Sequence, residues 1–471
     1  DNSFGKHNVG AMGLFLREEF ASGSEFPRFR EDWVGRVTYN FDERYLFEAN
    51  GAYNGSERFG DDFKFGFFPS VAMGWLASNE EFFKVNWMNH LKFRYSIGEV
   101  GNDAFNAPRW SYQTQWVFDR DPTPFGGLNN WVYSTFDQYV EGVIGNPFLQ
   151  WETAIKQNLG IEMAFLNNMF RMNVDVFRDD REDIFMTAGM RNVPAWFGAR
   201  PVAGNLGQTQ TTGYEVELHF NKMTSSQINY WATVNFTHAK DKVLFMEDPE
   251  IAPAYQKNEG YQIGQTRTLV NNGFVNNWDE VYGTVGGQAG NREKLPGDLQ
   301  LVDYNGDGII DLNDDVPFAF PSRPQNTYNL TVGADYKGFA IMAQFYGVNN
   351  VTYRMGFEPF RDELESTVFE VTRNHWTPVN TDADFIHPRL YTNSSASNLF
   401  HFDASYIRLK TAEISYKFDG EKLGLIGAKG LRLFLNGNNL LFWSDLPDDR
   451  ESPGRTYPMF RRINFGVNLN F

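Results

Sequence analysis

The sequence predicts an all-β fold, a transmembrane antiparallel β-barrel of about fourteen strands that takes up residues 1–471. Three observations lead to this prediction: apolar and polar residues alternate along many segments, the connections between those segments alternate in length, and 17% of the residues are aromatic. The mean hydropathy is −0.47, and no apolar run reaches the roughly eighteen residues that a membrane-spanning helix needs. A barrel needs no such run, because the apolar residues of its strands alternate with polar ones.

The alternation has the period of a β-strand. From Met169 to Val176, apolar residues take every second position, and charged or amide residues fill the positions between them. The segments Tyr214–Asn221 and Tyr328–Tyr336 repeat this pattern. Side chains two residues apart share one face of a strand, so each segment has an apolar face and a polar face. The apolar faces suit either lipid or the core of a soluble sandwich.

The connections favour the barrel, because short and long ones alternate. The short connections lie at about 42–44, 78–89, 166–168, 223–227, 337–338 and 419–430. In an up-and-down meander the long loops then share one end, and they are about 101–150, 187–210, 244–323 and 351–401. A transmembrane barrel has this arrangement, with short periplasmic turns and long extracellular loops. The predicted strands are about 8–19, 33–41, 45–55, 64–77, 90–100, 151–165, 169–186, 211–222, 228–243, 324–336, 339–350, 402–418, 431–443 and 459–471.

The last residues form an alternating strand that ends on an aromatic residue. Its apolar positions are Ile463, Phe465, Val467, Leu469 and Phe471. Such an ending resembles the assembly signal of bacterial outer-membrane proteins, and the alternative interpretation is an edge strand of a soluble sheet. If the strand ends in the periplasm, the long loops are extracellular and the protein lies in the bacterial outer membrane.

The composition and motifs exclude several other classes of protein. The chain has no cysteine, so we expect neither disulfides nor thiolate metal sites. A net charge of −17 is unfavourable for a nucleic-acid partner. The sequence has no nucleophile elbow, zinc-protease motif or phosphate-binding loop, so we expect no enzyme activity and no cofactor for chemistry. The first residues, Asp1-Asn2-Ser3, do not read as a signal peptide.

A series of motifs occurs in a specific order along the chain. The first are WVGRVTYNF at 33–41, DERYLFEA at 42–49, NGSERF at 54–59 and GFFPSV at 66–71. They are followed by GEVGN at 98–102, NPFLQWET at 146–153, PGD at 296–298, DYNGDG at 303–308 and YIRLK at 406–410. This order resembles the SusC/RagA-type TonB-dependent transporters of the bacterial outer membrane, and the resemblance extends over essentially the whole chain.

The resemblance implies that the chain is the carboxy-terminal part of a larger barrel. Members of the family have about 22 strands around a plug domain, and the strands predicted here fit the last fourteen, with the plug absent from this chain. The implied function is TonB-dependent import of oligosaccharides, or of oligopeptides. The implied partners are a SusD-like surface lipoprotein, the missing N-terminal plug and barrel portion, TonB through that portion, and the lipid bilayer. A complete passive porin-like channel and a structural or adhesive barrel remain as alternatives.

One long loop has the residue spacing of a calcium site. Oxygen-bearing side chains occupy positions 1, 3, 5, 9 and 12 of an EF-hand-like loop, with Gly308 at position 6. Position 12 is aspartate instead of the usual glutamate, which predicts weaker binding. The alternative is a tight acidic turn without a metal. The candidate ligands are the side chains of Asp303, Asn305, Asp307, Asp311 and Asp314 and the carbonyl of Ile309.

Another long loop, at about 101–150, is rich in aromatic residues. Flat rings stack on the apolar faces of sugars, while aspartate and arginine side chains form hydrogen bonds with hydroxyl groups. The alternative is that these rings pack against other loops or against a lipoprotein. Aromatic residues near the short turns, such as Phe165 and Phe170, predict an interfacial girdle. The candidate substrate-binding residues are Trp110, Tyr112, Trp116, Asp119, Arg120, Trp131 and Tyr133.

Overall fold

The computed structural model describes residues 1–23, 26–104, 108–119, 138–198, 201–286, 294–355, 370–385, 397–418, 429–447, 449, 451 and 459–470. The first twelve strands are β1 (Asn2–Phe4), β2 (His7–Phe20), β3 (Arg28–Phe41), β4 (Tyr45–Ser56), β5 (Phe65–Leu76), β6 (Met88–Asn102), β7 (Gln115–Asp119), β8 (Gln138–Val143), β9 (Glu152–Phe165), β10 (Phe170–Met186), β11 (Gly204–Met223) and β12 (Asn229–Phe245).

The other strands are β13 (Arg267–Thr268), β14 (Asn271–Phe274), β15 (Leu299–Leu301), β16 (Val316–Pro317), β17 (Asn326–Tyr336), β18 (Phe339–Asn349), β19 (Thr352–Arg354), β20 (His401–Asp403), β21 (Tyr406–Phe418), β22 (Gly430–Ser444) and β23 (Arg462–Asn470). The described helices are α1 (Trp278–Gly283) and six 3₁₀ turns, at Ala77–Asn79, Ala188–Met190, Ala195–Phe197, Leu312–Asp314, Glu370–Arg373 and Asn398–Phe400. None of the helices in the described part of the chain is long and apolar enough to cross a membrane.

Fifteen strands form one antiparallel sheet in the order β1-β2-β3-β4-β5-β6-β9-β10-β11-β12-β17-β18-β21-β22-β23. The sheet is a meander, because every neighbour in space is the next of these strands along the chain. All fourteen segments predicted from the sequence are present in it. Within the described residues the sheet has one strand that the sequence did not predict, β1, which folds back on β2 through a tight turn that places Phe4 opposite His7.

Several predicted boundaries are wrong for reasons of backbone pairing. β3 begins at Arg28 and not at 33, since Arg28 already pairs with Phe20 of β2. β11 begins at Gly204 and not at 211, which shortens the predicted loop 187–210, since Gly204 already pairs with Met186 of β10. The predicted strand 402–418 is divided into β20 and β21. The division occurs where the Asp403 carboxylate accepts a hydrogen bond from the backbone N–H of Ser405 (2.9 Å), which turns the chain.

The alternation of loop lengths is confirmed. The connections at one end of the sheet are 5–6, 42–44, 77–87, 166–169, 224–228, 337–338 and 419–429. The connections at the other end are 21–27, 57–64, 103–151, 187–203, 246–325, 350–405 and 445–461, and they include every long loop. We call this second end the loop end of the sheet.

One face of the sheet is apolar and the other is polar, as expected for a barrel wall in lipid. Tyr39, Phe47 and Met73 are cross-strand neighbours on one face, and their side chains are exposed by 36%, 39% and 58%. Charged side chains on the other face are more shielded, with Glu162 exposed by 28% and Asp175 by 13%. A water-soluble sheet would shield its apolar face, so the apolar face is the outer, lipid-facing surface and the polar face is the inner surface.

Aromatic rings line the outer surface near the short turns. Phe165 stacks on Phe170 at a centroid distance of 5.4 Å, and Phe170 lies 5.0 Å from Phe220 on the next strand. Trp75 stacks on Phe93 at 5.8 Å. These rings occupy the position that an interfacial aromatic girdle takes in membrane barrels.

The long loops have a hydrophobic core of their own. It joins the connections 246–325, 350–405 and 445–461 with the adjacent ends of β18 and β21, and its buried members are Leu299, Val348, Val351, Met355, Phe385, Phe400, Ala404, Tyr406 and Leu446. A second cluster, of Phe59, Phe68, Leu149 and Trp151, joins the connections 57–64 and 103–151 to the wall. The described parts of these connections are therefore folded, and they pack on one another or on the wall.

Candidate functional site

The aromatic loop contains an exposed β-hairpin formed by β7 and β8. Trp116 lies opposite Glu141, and Phe118 lies opposite Tyr139, so these four side chains share one face of the hairpin. Trp116, Phe118 and Tyr139 are exposed by 60%, 45% and 69%. The rings of Phe118 and Tyr139 meet edge to face at 5.4 Å. We call this surface the aromatic face, and its exposed rings can stack on a flat ligand.

Trp110, another candidate residue, packs elsewhere. Its backbone has a positive φ of 59°, and its ring meets the Phe26 ring edge to face at 5.9 Å. The guanidinium of Arg109 lies 4.4 Å from the centre of the Trp110 ring. Arg109 is itself held by an ion pair with Glu57 at 2.7 Å. Trp110 therefore helps to fix the aromatic loop to the connection 21–27.

The remaining candidates of this loop are only partly described. Tyr112 is half-buried, and Asp119 ends β7 opposite Gln138. Arg120, Trp131 and Tyr133 lie outside the described residues. The structure thus separates Trp110 from the aromatic face on which Trp116 lies. Phe118 and Tyr139, which belong to that face, were not among the candidate residues, although their alternation with Val117 and Val140 is visible in the sequence.

A cavity of about 440 Å³ lies beside this hairpin. It is formed between the start of the aromatic loop, the end of β8 and the connection that follows β10, and its lining includes Pro108, Ser111, Val143, Ile144, Phe185 and Pro201. The lining is predominantly apolar. The aromatic loop therefore presents both exposed rings and an apolar cavity at the loop end.

The predicted metal loop is tightly organised by hydrogen bonds from its own backbone. The Asp303 carboxylate accepts hydrogen bonds from the N–H groups of Gly306 and Gly308, each at 2.8 Å. Asp314 is fully buried, and its carboxylate accepts hydrogen bonds from the N–H groups of Tyr304 (2.8 Å) and Asp311 (2.9 Å). Gly306 and Gly308 have positive φ angles of 76° and 84°, which a side chain would disfavour.

The metal loop is also docked on its neighbours. The Tyr255 hydroxyl donates a hydrogen bond to the carbonyl of Asn313 at 2.8 Å, and its ring meets that of Tyr304 at 4.8 Å. Burial, followed by the negative charge of Asp314, raises the pKa of Tyr255. Burial likewise raises the pKa of Asp315 above its ordinary value.

The fit of this loop to a cation follows from its donor set. Asp303, Asn305, Asp307 and Asp311 bring hard oxygen donors into one short loop, which is the chemistry that calcium prefers. However, the described part of the chain contains no group of three or more histidine, aspartate or glutamate side chains arranged to hold a metal ion. Calcium binding, including the role of the Ile309 carbonyl, stays a prediction.

A buried arginine at the start of β21 was missed by the sequence reasoning. Arg408 is 3% exposed and pairs with both carboxylate oxygens of Asp449 at 2.7 Å. Its Nε lies 3.1 Å from a carboxylate oxygen of Glu451, and its guanidinium lies 4.6 Å from the centre of the Phe442 ring. The sequence contained a signal for this pairing: an arginine on the polar face of a strand, followed in the next connection by the acidic segment 445–451. This cluster ties the connection 445–461 to the wall.

The fold and the loop end together define a class of protein, an outer-membrane β-barrel whose elaborate loops lie at one end. A family model described as "TonB dependent receptor-like, beta-barrel" matches residues 21–440. The chain belongs to this family, and it is a bacterial outer-membrane protein.

The relatives of known name agree with this assignment. TonB-dependent receptor P26 of Formosa agariphila is 26% identical over 95% of this chain and 47% of its own length. TonB-dependent receptor SusC of Bacteroides thetaiotaomicron is 25% identical over 82% of this chain and 37% of its own length. The chain thus spans about half the length of such relatives or less. These relatives are named as receptors and not as enzymes.

A solved structure shares the fold. A chain of the structure titled "Structure of the RagAB peptide transporter" superposes with a TM-score of 0.77 at 18% identity. The match covers 99% of this chain and 54% of the other. The resemblance that the motifs indicated is therefore confirmed: the family model is that of TonB-dependent receptor barrels, SusC is among the similar proteins, and the RagAB structure shares the fold.

Proposed function

We propose that the protein to which this chain belongs imports oligosaccharides across the outer membrane by a TonB-dependent mechanism. In this proposal the chain is the carboxy-terminal wall of a SusC-like barrel in a SusCD-type complex. A SusD-like lipoprotein would close the loop end, and the N-terminal plug and barrel portion would complete the wall and connect it to TonB. Family membership supports the import mechanism, and the polar inner surface supports passage of a polar solute.

The proposal of an oligosaccharide as the substrate rests on the aromatic face. Three exposed rings on one face of the β7–β8 hairpin form a stacking platform, and Glu141 on the same face brings a carboxylate, which accepts hydrogen bonds from hydroxyl groups. The alternative substrate is an oligopeptide, because the matched RagAB structures carry the titles of a peptide transporter and a peptide importer. A passive porin is the other alternative, and the match to the TonB-dependent family disfavours it.

Co-purification tests the partners and the substrate together. The full-length protein is purified from its native membrane, and its partners and bound ligand are identified by mass spectrometry. We expect a SusD-like lipoprotein and an oligosaccharide. A bound peptide would replace the proposed substrate with the alternative one, and recovery of a barrel without any lipoprotein would contradict the SusCD-type complex.

Substitutions on β7 test the aromatic face directly. Trp116→Ala in the full-length complex should weaken oligosaccharide binding about tenfold, which corresponds to about 1.4 kcal/mol, because a stacking surface is lost. Val117→Ala is the matched control, since Val117 lies on the other face of the same strand at similar exposure (48%). Calorimetry measures both affinities. Equal affinity of the Trp116→Ala variant and the unmutated complex would contradict the role of the aromatic face.

A further inference from the structure

The outer surface of the wall is apolar along most of β10 and becomes basic close to the loop end. The outward positions of β10 from Phe170 to Val176 are apolar, and the next outward residue is Arg178. Arg178 is eight residues beyond Phe170, which is about 26 Å along a strand. Because a tilted strand crosses the hydrocarbon of a membrane in about nine to eleven residues, Arg178 lies where the apolar band ends.

Two lysines of β12 extend this basic region across the sheet. Lys240 lies opposite Thr212 of β11, which itself lies opposite Arg178 of β10. Lys242 lies opposite Gln210, in the next outward row towards the loop end. Adjacent strands are about 4.8 Å apart, so the backbones at Arg178 and Lys240 are about 10 Å apart and their long side chains can reach the same lipid headgroup. We call Arg178, Lys240 and Lys242 the basic patch.

Aromatic rings lie beside the basic patch, on the side of the membrane interior. Tyr214 and Phe236 meet at a centroid distance of 5.8 Å, and Tyr214 is 43% exposed. Lys240 lies four residues beyond Phe236 on the same strand, so both side chains point outward. In membrane barrels, rings at this height mark the boundary between hydrocarbon and headgroups. The basic patch therefore lies at the height of the lipid headgroups in the leaflet nearest the loop end.

The positive charge of the two lysines is not neutralised by their neighbours. Within the described residues, neither Lys240 nor Lys242 has an acidic partner at ion-pair distance, and both are exposed. Their cross-strand neighbours on β11 are uncharged. Arg178 does form an ion pair, with Asp180 at 2.7 Å, but its side chain is still 55% exposed. Exposed cations beside a lipid surface attract anionic headgroups.

We propose that the basic patch binds a phosphate group of lipid A, the glycolipid of the outer leaflet of the outer membrane. Lys240 and Lys242 attract the phosphate by charge-assisted hydrogen bonds. Thr212 and Gln210 bring a hydroxyl and an amide group next to the lysines, and these groups can exchange hydrogen bonds with the sugar hydroxyls of the lipid. The acyl chains then lie on the apolar outer surface of the wall.

The position of the basic patch keeps it accessible in the complete transporter. It lies on the outer surface and on strands in the middle of the sheet, so neither a domain inside the barrel nor strands added beside β1 or β23 would cover it. The inference goes beyond the proposed import function, and it shares with that proposal only the assumption that the loop end faces the outside of the cell.

Native mass spectrometry of the full-length complex in detergent tests this site. The probes are phosphorylated lipid A, the same lipid A after removal of its phosphate groups, and phosphatidylglycerol, which is anionic but contains no sugar. The test variant is Lys240→Gln with Lys242→Gln. The matched control is Lys222→Gln with Lys337→Gln, because Lys222 and Lys337 are also exposed lysines but lie at the opposite end of the sheet.

The affinity for phosphorylated lipid A should depend on the two lysines. We expect the test variant to bind it about 30-fold more weakly than the unmutated complex, which corresponds to about 2 kcal/mol, because two of the three basic side chains are lost. The control variant should bind like the unmutated complex. Equal affinities of the two variants would overturn the proposal, and so would equal binding of lipid A with and without phosphate. Equal binding of phosphatidylglycerol and lipid A would reject the glycolipid as the specific ligand.

Purification from native outer membranes tests whether the basic patch meets lipid A in the cell. Lipid A should co-purify with the unmutated complex and with the control variant, and much less of it with the test variant. If added lipid A binds in detergent but none co-purifies, the patch faces the other leaflet and the proposal is wrong. Oligosaccharide uptake is measured separately. Lipid A binding without uptake would reject only the proposed function, and uptake without lipid A binding would reject only the role of the basic patch.

Discussion

Replacement of Arg408 by alanine should release the connection 445–461 from the barrel wall. Arg408 is almost fully buried, and it is bonded to Asp449 and packed on the Phe442 ring. Its loss removes the buried cation that pairs with the carboxylates of both Asp449 and Glu451. The variant keeps the backbone hydrogen bonds of β21, so the effect should be local.

The size of this effect follows from the burial of the partners. Removal of one member of a buried ion pair costs about 3–5 kcal/mol, because the other charge is left unpaired. Asp449 and Glu451 are 22% and 34% exposed, so water compensates part of the loss. We expect local opening of residues 445–451 to become easier by about 2–3 kcal/mol, which is an increase of about 30- to 150-fold in the opening equilibrium.

Hydrogen exchange measured by mass spectrometry in lipid nanodiscs reports this opening. Arg373→Ala is the control, because the Arg373–Glu370 pair is exposed by 82% and 84% and should contribute less than about 0.5 kcal/mol. We expect faster exchange of 445–451 in the Arg408→Ala variant only. If exchange there is unchanged, the buried cluster does not hold the connection and this reasoning is refuted.

Two further predictions concern the loops. Calorimetry should detect calcium binding to the full-length protein. Asp307→Asn removes a charge but keeps a hydrogen-bonding side chain, and it should weaken calcium binding about tenfold. An absence of heat with the unmutated protein would reject the site. The hydrogen bond from Arg191 at 2.8 Å lowers the pKa of Glu247. At pH values above the ordinary glutamate pKa, the pair therefore stabilises the connection 187–203. This stabilisation is lost as the pH falls through the lowered pKa of Glu247. Hydrogen exchange of 187–203, corrected for its intrinsic rate, should therefore rise at acid pH, and Glu247→Gln should abolish this pH dependence; a variant with the same pH profile as the unmutated protein would contradict the assignment.

The wall of the barrel could be predicted because one physical rule sets both its pattern and its pairing. Lipid outside and polar groups inside impose a period of two, as in Tyr214–Asn221, and each such segment is a strand of the large sheet. The alternation of short and long connections could also be predicted, since a meander places successive loops at opposite ends of the sheet. The strand β1 could not, because three residues are too few to show a period.

The loop end could be predicted only in part, because tertiary contacts determine it. The aromatic loop was recognised by composition, but its rings were divided by packing: Trp110 lies against Phe26, while Trp116 lies on the exposed hairpin. The pairing of Arg408 with Asp449 joins residues 41 positions apart, and no local pattern indicates such a contact.

Uptake with and without TonB tests the central claim, that this chain is the wall of a TonB-dependent importer, most directly. The full-length protein and its lipoprotein are expressed in a strain with intact TonB and in one without it, and uptake of a labelled neutral hexasaccharide is measured in each. The account predicts uptake that requires TonB and stops when the proton gradient is dissipated. Uptake at the same rate in both strains would identify a passive channel and contradict the account.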